Sequence, residues 1–256
     1  MEISAIEIQL LCQKISESTS GYFLGGIYSI ESGILLRLAH SNKPEKLVAI
    51  SSFAPWITTK NLSVPQASKF VSRLRDKIER FVLVSVEQVG NERIARFEFK
   101  SKKEEKRNLY AEFFARGNII LADPEKEETI LDVAEPQRFR HRTLILGEKY
   151  VLPPSRGVPL QEINESRLIS IFTDSSESIE KSNLSAIKWF GRNIGTSRKF
   201  VEEVFWKSKV NPEIPAKSLS REKLFALSKA CESLILELRQ SSMGYVLIPK
   251  ENADKE

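Results

Sequence analysis

Two histidines, His40 and His141, and two cysteines, Cys12 and Cys231, are the whole stock of imidazole and thiol groups in the chain. Neither pair is spaced for a metal. There is no Cys-x-x-Cys and no His-Glu-x-x-His, and a zinc site would need carboxylates drawn from far apart. A Ser/His/Asp triad can be written with either histidine, yet no Gly-x-Ser-x-Gly turn accompanies it. Gly-x-Gly-x-x-Gly and Gly-x-x-x-x-Gly-Lys-Ser/Thr are also absent, so no loop is marked as a nucleotide cradle. The sequence predicts no catalytic residue, no metal and no cofactor.

Charge and aromatic groups are more informative. Arg138-Phe139-Arg140-His141-Arg142 alternates bases with a ring, a pattern that can neutralise phosphates while the ring stacks. The same pattern fits a connecting segment whose Phe139 is buried, and both readings stand. Lys100, Lys102, Lys103, Lys106 and Arg107 are diluted by Glu104 and Glu105 and read as a solvated hairpin tip. In Ile194-Gly195-Thr196-Ser197-Arg198-Lys199, a glycine between two helices precedes hydroxyls and bases. Such a turn can offer backbone N–H groups to a phosphate, or simply cap one helix and start the next. Gly90-Asn91 reads as a tight hairpin turn, which would hold the neighbouring Glu92 and Arg93 in fixed directions.

These groups need a frame. Ile3, Ile6, Leu10, Leu11 and Ile15 form one apolar stripe and predict a helix over 2–17. Strands follow at 22–30, 33–39 and 46–52, the last after a Ser/Asn/Pro loop. Pro65 opens a second helix to about Arg80. A meander of strands at 81–89, 92–100, 107–114, 118–123 and 129–133 completes an α+β, β-rich and sandwich-like first domain, 1–152. Within 92–100, Ala95, Phe97 and Phe99 should face the core, with Ile94, Arg96, Glu98 and Lys100 on the other face. Val151–Gly157, with two prolines and a glycine, marks the domain boundary. Residues 158–242 read as all helix, over 160–172, 177–190, 195–209 and 219–240, followed by a polar tail over 243–256.

The chain has 256 residues, enough for two domains, and a net charge of +5 spread along its length. Its pI near 9.1 suits an anionic partner without requiring one. The longest apolar runs are about four residues, far short of the ~20 that span a membrane. The opening Met1–Glu7 lacks the basic, then apolar, order of a secretory signal. A cytoplasmic protein with two core thiols is expected.

Several short segments, in order, resemble the NFACT family, the fibronectin-binding-protein-A-like ribosome quality-control proteins. They are Phe70–Ile78, Phe81–Ile94 with its Glu-Gln-Val-Gly-Asn-Glu-Arg-Ile ending, and Glu112-Phe113-Phe114-Ala115-Arg116-Gly117-Asn118-Ile119-Ile120-Leu121-Ala122-Asp123. Gly147-x-x-Tyr150-x-x-Pro153-Pro154 and residues 195–240 continue the likeness. The resemblance implies a first domain like that of formamidopyrimidine-DNA glycosylases, followed by a helix-hairpin-helix domain, with the polar tail leading toward a coiled coil. It implies binding of tRNA on a large ribosomal subunit that carries peptidyl-tRNA, in support of mRNA-independent tailing of the stalled chain. No enzymatic chemistry, no membrane and no DNA are expected. The tRNA-binding residues it implies are Glu92, Arg93, Glu112, Arg116 and Asn118. The nucleic-acid backbone would meet Gly195, Thr196, Ser197, Arg198 and Lys199, together with Arg138, Arg140 and Arg142.

Three departures from the family pattern stand out. Glu92 replaces an aspartate, and Ala115 replaces the glycine that precedes the arginine. Phe53-Ala54-Pro55-Trp56-Ile57-Thr58 stands where the family carries a basic Arg-x-His-Leu-Thr stretch, so a phosphate contact is lost there. Two other readings compete: a non-catalytic protein-interaction module and a DNA glycosylase/lyase. The lyase uses an N-terminal proline amine as nucleophile, whereas residue 2 here is Glu2 and the first proline is Pro44. Borohydride trapping on abasic DNA is expected to give no covalent adduct, and a trapped adduct would reinstate the lyase.

Overall fold

The computed structural model describes residues 3–60, 62–154, 157–181 and 183–240. The polar tail expected over 243–256 and the Ser155–Arg156 part of the expected boundary lie outside them. The chain divides into two compact units, Met1–Arg156 and Gly157–Glu256. Among the described residues, no helix is long and apolar enough to cross a membrane.

The first unit opens with α1 (Ala5–Thr19). Ser4 fixes its start by a capping box. The Ser4 hydroxyl accepts from Glu7 N at 3.3 Å, and the Glu7 carboxylate accepts from Ser4 N at 2.8 Å. Ile8, Cys12, Ile15 and Thr19 follow at helical spacing and are buried. Next come β1 (Phe23–Ile30), β2 (Gly33–His40), β3 (Lys43–Ser51) and β4 (Pro55–Thr58). The loop expected before the third strand is a tight turn, and β3 starts at Lys43. Pro44 is tolerated because the β2–β3 register breaks between Leu38 and His40, and β4 pairs only with residues 47–50. The fourth strand is short, opens with proline and lies at the sheet edge, so its sequence carries little strand signal.

A crossover through α2 (Lys69–Ile78) leads to β5 (Val82–Gln88), β6 (Ile94–Lys100), β7 (Lys106–Glu112), β8 (Asn118–Asp123) and β9 (Thr129–Val133). The second helix starts later than Pro65 suggests because Ser68 is the cap, accepting from Val71 N at 3.2 Å. It is anchored by Arg75 Nε donating to Ile27 O (2.7 Å) and by Arg73 gripping the Asp132 carboxylate with two nitrogens at 2.8 Å.

All nine strands form one antiparallel sheet in the order β4-β3-β2-β1-β5-β6-β7-β8-β9. Its seam is narrow, with Phe23 opposite Val82 as the one registered pair between β1 and β5. The sheet folds on this seam, so Leu24, Ile27, Leu36 and Leu38 from one half share a core with Phe97, Phe99, Leu109 and Leu121 from the other. The α+β, mainly antiparallel reading is borne out, and Ala95, Phe97 and Phe99 face this core as their alternation predicts.

The other face of β6–β9 is covered rather than solvated. Ile94, Tyr110, Ile120, Ala122, Ile130 and Val133 build a second core under Leu144 and Tyr150 of the exit segment. That segment folds through β10 (Gln137–Arg138) and β11 (Thr143–Leu144). Its anchor is polar. Arg142 donates to both Glu112 carboxylate oxygens, at 2.5 and 2.8 Å, and Tyr150 donates to the same group at 3.0 Å. The Glu112 and Arg142 side chains are almost wholly buried. Tyr150 stacks on Tyr110 with ring centres 4.1 Å apart. Burial, with the Glu112 charge beside it, pushes the Tyr150 hydroxyl far above its usual range, so it stays a donor.

The second unit holds β12 (Val158–Pro159), α3 (Glu165–Asp174), α4 (Ser176–Lys181), α5 (Ala186–Asn193), β13 (Ile194–Gly195), α6 (Arg198–Ser208) and α7 (Arg221–Gln240). The helix expected over 177–190 is broken because the backbone there is used elsewhere. Ala186 N bonds to Ile214 O, and Leu184 O accepts from Ala216 N, both at 2.8 Å. Residues 160–162 form a 3-10 turn, and α3 begins only after Asn164 caps Arg167 N at 2.9 Å. Trp189, Phe190, Val204, Phe205, Leu227 and Cys231 are among its buried side chains. Both cysteines are free and buried, and burial raises each thiol to about 12, as core thiols require.

Three stability changes are expected. Glu112→Ala strands a buried guanidinium and should cost about 3–5 kcal/mol in denaturant unfolding. The paired change Glu112→Leu with Arg142→Met should cost clearly less than that single one. Ala115 holds φ 54°, where a Cβ is strained. Ala115→Gly should therefore raise stability by about 0.5–1 kcal/mol, the relieved strain less the added freedom of the unfolded chain.

Candidate nucleic-acid interface

Antiparallel strands bring alternate turns to the same end of a sheet, and four turns of the first unit are tied together there. The β5–β6 connection closes with Val89 N bonding to Ile94 O at 3.0 Å. The turn is therefore the four residues 90–93, with Gly90 at φ 60°, rather than Gly90-Asn91 alone. Glu92 and Arg93 sit in this loop, not at the head of a strand. Gln88 clamps it, its amide donating to Glu92 O at 3.0 Å and to Ala5 O at 2.7 Å.

The Arg93 carbonyl accepts from Phe113 N at 2.8 Å, which fixes the loop against the β7–β8 turn. That turn runs through left-handed Ala115 to Gly117 at φ 72°. Gly117 lies against the β3–β4 turn so closely that a Cβ on it would be 2.7 Å from Ser52 Cα. Ser52 N in turn donates to Ser32 O of the β1–β2 turn at 2.9 Å.

The expected site residues separate on this frame. Arg116 is exposed at the turn tip and has no partner among the described residues. Glu92 and Arg93 are half-buried in the adjoining loop. Glu112 is not on the surface: it is the buried acceptor for Arg142 and Tyr150, because the covered outer face of β7 leaves it no path to solvent. Asn118 is also buried, with its amide in use. It donates to Glu135 O at 2.8 Å and accepts from Ile119 N at 2.9 Å and Glu135 N at 3.1 Å. It holds the β8 end of the turn in place and presents nothing outward.

The basic run splits as well. Phe139 N bonds to Arg142 O at 2.9 Å, and this turn sends Arg142 inward while Arg138 and Arg140 stay exposed. Arg142 is therefore withdrawn as a phosphate contact. Phe139 is not buried, and the Arg142 guanidinium lies 4.9 Å from its ring centre. Lys100 pairs with Glu104, and Arg107 lies 3.5 Å from Asp123 at the opposite end of the strands.

In the second unit, Gly195 falls between α5 and α6, and Ser197 occupies the N-cap position of α6. Thr196 N bonds to Ile194 O at 2.8 Å. The Ser197 hydroxyl caps no helix N–H. Arg198 is solvent-facing and paired to Glu202 at 2.7 Å, and Lys199 is exposed. Gly195 also pairs in parallel with Pro159, a contact that sequence spacing gives no means to foresee. Gln88 was missed as well, since a glutamine at a strand end carries no sign of a clamp.

The chain is similar to several known proteins. The archaeal Rqc2 homolog aRqcH of Methanocaldococcus jannaschii is 25% identical over 183 residues, covering 72% of this chain and 26% of that protein. The Rqc2 homolog RqcH of Bacillus subtilis is 37% identical over 95 residues, covering 34% of this chain and 16% of that protein. The chain thus spans about a quarter or less of these relatives' length. Among solved structures, the N-terminal part of the fibronectin/fibrinogen-binding protein from Streptococcus suis superposes with a TM-score of 0.68 at 18% identity, covering 89% of this chain and 85% of that one. That likeness establishes the fold. The sequence family described as NFACT N-terminal and middle domains matches residues 15–256, and the chain belongs to the NFACT family.

Proposed function

We propose that this chain is the tRNA-holding part of a ribosome quality-control factor. It places a tRNA on a large ribosomal subunit carrying peptidyl-tRNA and so supports mRNA-independent extension of the stalled chain. The ribosome supplies peptidyl transfer, and the chain supplies selection and position, with no catalytic residue of its own. The relatives' names, which include ribosome quality control complex subunit 2 of Saccharomyces cerevisiae, support this reading. So does a net charge of +5, since tRNA and rRNA are both polyanions.

The observation that carries the reading is the Phe113 N–Arg93 O bond, which ties the loop of Glu92 and Arg93 to the turn of Arg116. Two arginines and a carboxylate are thereby held on neighbouring turns of fixed backbone. Arginine offers bidentate and stacking contacts to exposed loop bases, and a carboxylate accepts from base amino groups. In the second unit, the α5–Gly195–α6 connection acts as a helix-hairpin-helix grip on phosphates, with Arg198 and Lys199 at its mouth. The work is cytoplasmic.

Titration of tRNA onto the purified chain, beside thermal melting, tests this. Arg93→Ala is expected to weaken tRNA binding by about 1–3 kcal/mol with little change in melting temperature. Arg198→Glu with Lys199→Glu should weaken binding to all RNA sequences alike and flatten the salt dependence. Lost stability with unchanged tRNA affinity in Arg93→Ala would make Arg93 a structural residue and overturn its recognition role.

A further inference from the structure

The β3–β4 turn carries the segment in which aromatic residues stand in place of a basic stretch. Phe53 is 52% exposed and Trp56 is half-buried. Their rings stack on each other with centres 5.6 Å apart and planes 16° from parallel. Ile57, the next residue along β4, packs against the main core, so Trp56 points to the opposite face. Across the ladder Trp56 faces the small residue Ala49, and part of its ring stays open to solvent.

The turn beneath the rings is stiff. The Ser51 hydroxyl accepts from Phe53 N and Ala54 N, both at 3.3 Å, and donates to Ala54 O at 3.1 Å. Ser51 N bonds to Ala54 O at 3.0 Å, and Pro55 follows with its fixed φ. The adjoining Ser52 is the residue pressed against Gly117, so Phe53 and Arg116 each lie one residue from that backbone contact.

We infer that Phe53 and Trp56 form a preorganised stacking platform for an unpaired RNA base, with Arg116 set to meet the adjoining phosphate or a neighbouring base. This rests on the tRNA-binding reading and adds a contact to it. Every base has a face that stacks on aromatic rings, and single-stranded loops expose such faces. Two rings held in one orientation lose little freedom on binding. Arg116 beside the rings is an exposed cation without a partner among the described residues, which favours a nucleic acid, although exposed Glu31, one residue from Ser32, adds a negative charge nearby. Two aromatic side chains bury a few hundred square ångströms at most, short of the roughly 800 Å² per partner of a stable protein interface. Where the family pattern has bases, this chain exchanges attraction for phosphate, which salt weakens, for stacking, which salt barely touches.

The test uses the whole chain with Trp206→Phe, which leaves Trp56 as the solvent-accessible tryptophan because Trp189 is buried. A tRNA is expected to quench its fluorescence, and a blunt RNA duplex of similar length is not. Phe53→Ala with Trp56→Ala should weaken tRNA binding about tenfold while leaving the slope of log K against log salt unchanged. Phe53→Tyr with Trp56→Phe should retain binding. If the double alanine variant melts early, Phe53→Ala alone carries the measurement. Unchanged affinity in the alanine variants, with the wild-type chain still binding tRNA, overturns the platform and leaves the tRNA reading intact. No tRNA binding by the wild-type chain overturns both. Self-association that disappears in the alanine variants, with tRNA affinity unchanged, assigns the rings to a protein contact and also overturns the platform.

Discussion

The buried Glu112–Arg142 pair holds the first unit in its working form. A carboxylate and a guanidinium taken out of water repel the fold unless their hydrogen-bond capacity is met. Here it is met from three sides. Arg142 gives two nitrogens, Tyr150 gives its hydroxyl, and the Val151 carbonyl takes a further, longer bond at 3.4 Å from Arg142. The rings of Phe114 and Phe139 flank the guanidinium at 5.6 and 4.9 Å. The pair therefore fastens the exit segment to the outer face of β7 and closes the second core. Glu112 is also the last residue of β7, so its anchoring sets where the turn bearing Arg116 begins.

The two ends of the sandwich differ for a related reason. At the Arg116 end, turns meet backbone to backbone, and the contact of Gly117 with Ser52 leaves no room for a side chain. At the opposite end, the β6–β7 turn projects Lys102 and Lys103 into solvent. Contacts between one turn and another gather where the exposed arginine and the aromatic pair stand, whereas the β6–β7 turn is held by bonds within itself. Precise placement of a few groups costs less when the backbone under them is already fixed. Ala115 shows the cost of that backbone locally, since its left-handed conformation is one that a glycine would adopt without strain.

The sequence announces the meander clearly because β5, β6 and α2 are amphipathic, and one face of each is apolar at the period its geometry demands. It hides the second core for the opposite reason. In β7 and β8 nearly every residue is buried, so alternation vanishes and the outer face cannot be told from the inner one. Glu112 and Arg142 look like surface charge for the same cause: local spacing does not reveal that residues 30 apart neutralise each other. The break between α4 and α5 is equally invisible, because the segment that competes for its backbone lies about 30 residues downstream. Of the site, the residues on turns were legible as turns, and Arg116 stayed outward. Those in strands or in the basic run needed the fold to sort them.

The seating of α1 has a consequence for how the chain reaches this state. The helix packs against β4, β5 and β6; its Ala5 O accepts from the Gln88 amide 83 residues away, and its Ser16 hydroxyl accepts from Val86 N 70 residues away. During synthesis, α1 leaves the ribosome well before the strands that cover its apolar stripe exist. The first hairpins can pair locally in the meantime, but the helix must wait, amphipathic and uncovered, until β5 and β6 arrive. Non-local closure of this kind is the slow step of a fold and its exposed moment. A segment made before these strands is thus buried only after them, and its apolar stripe stays open in the interval.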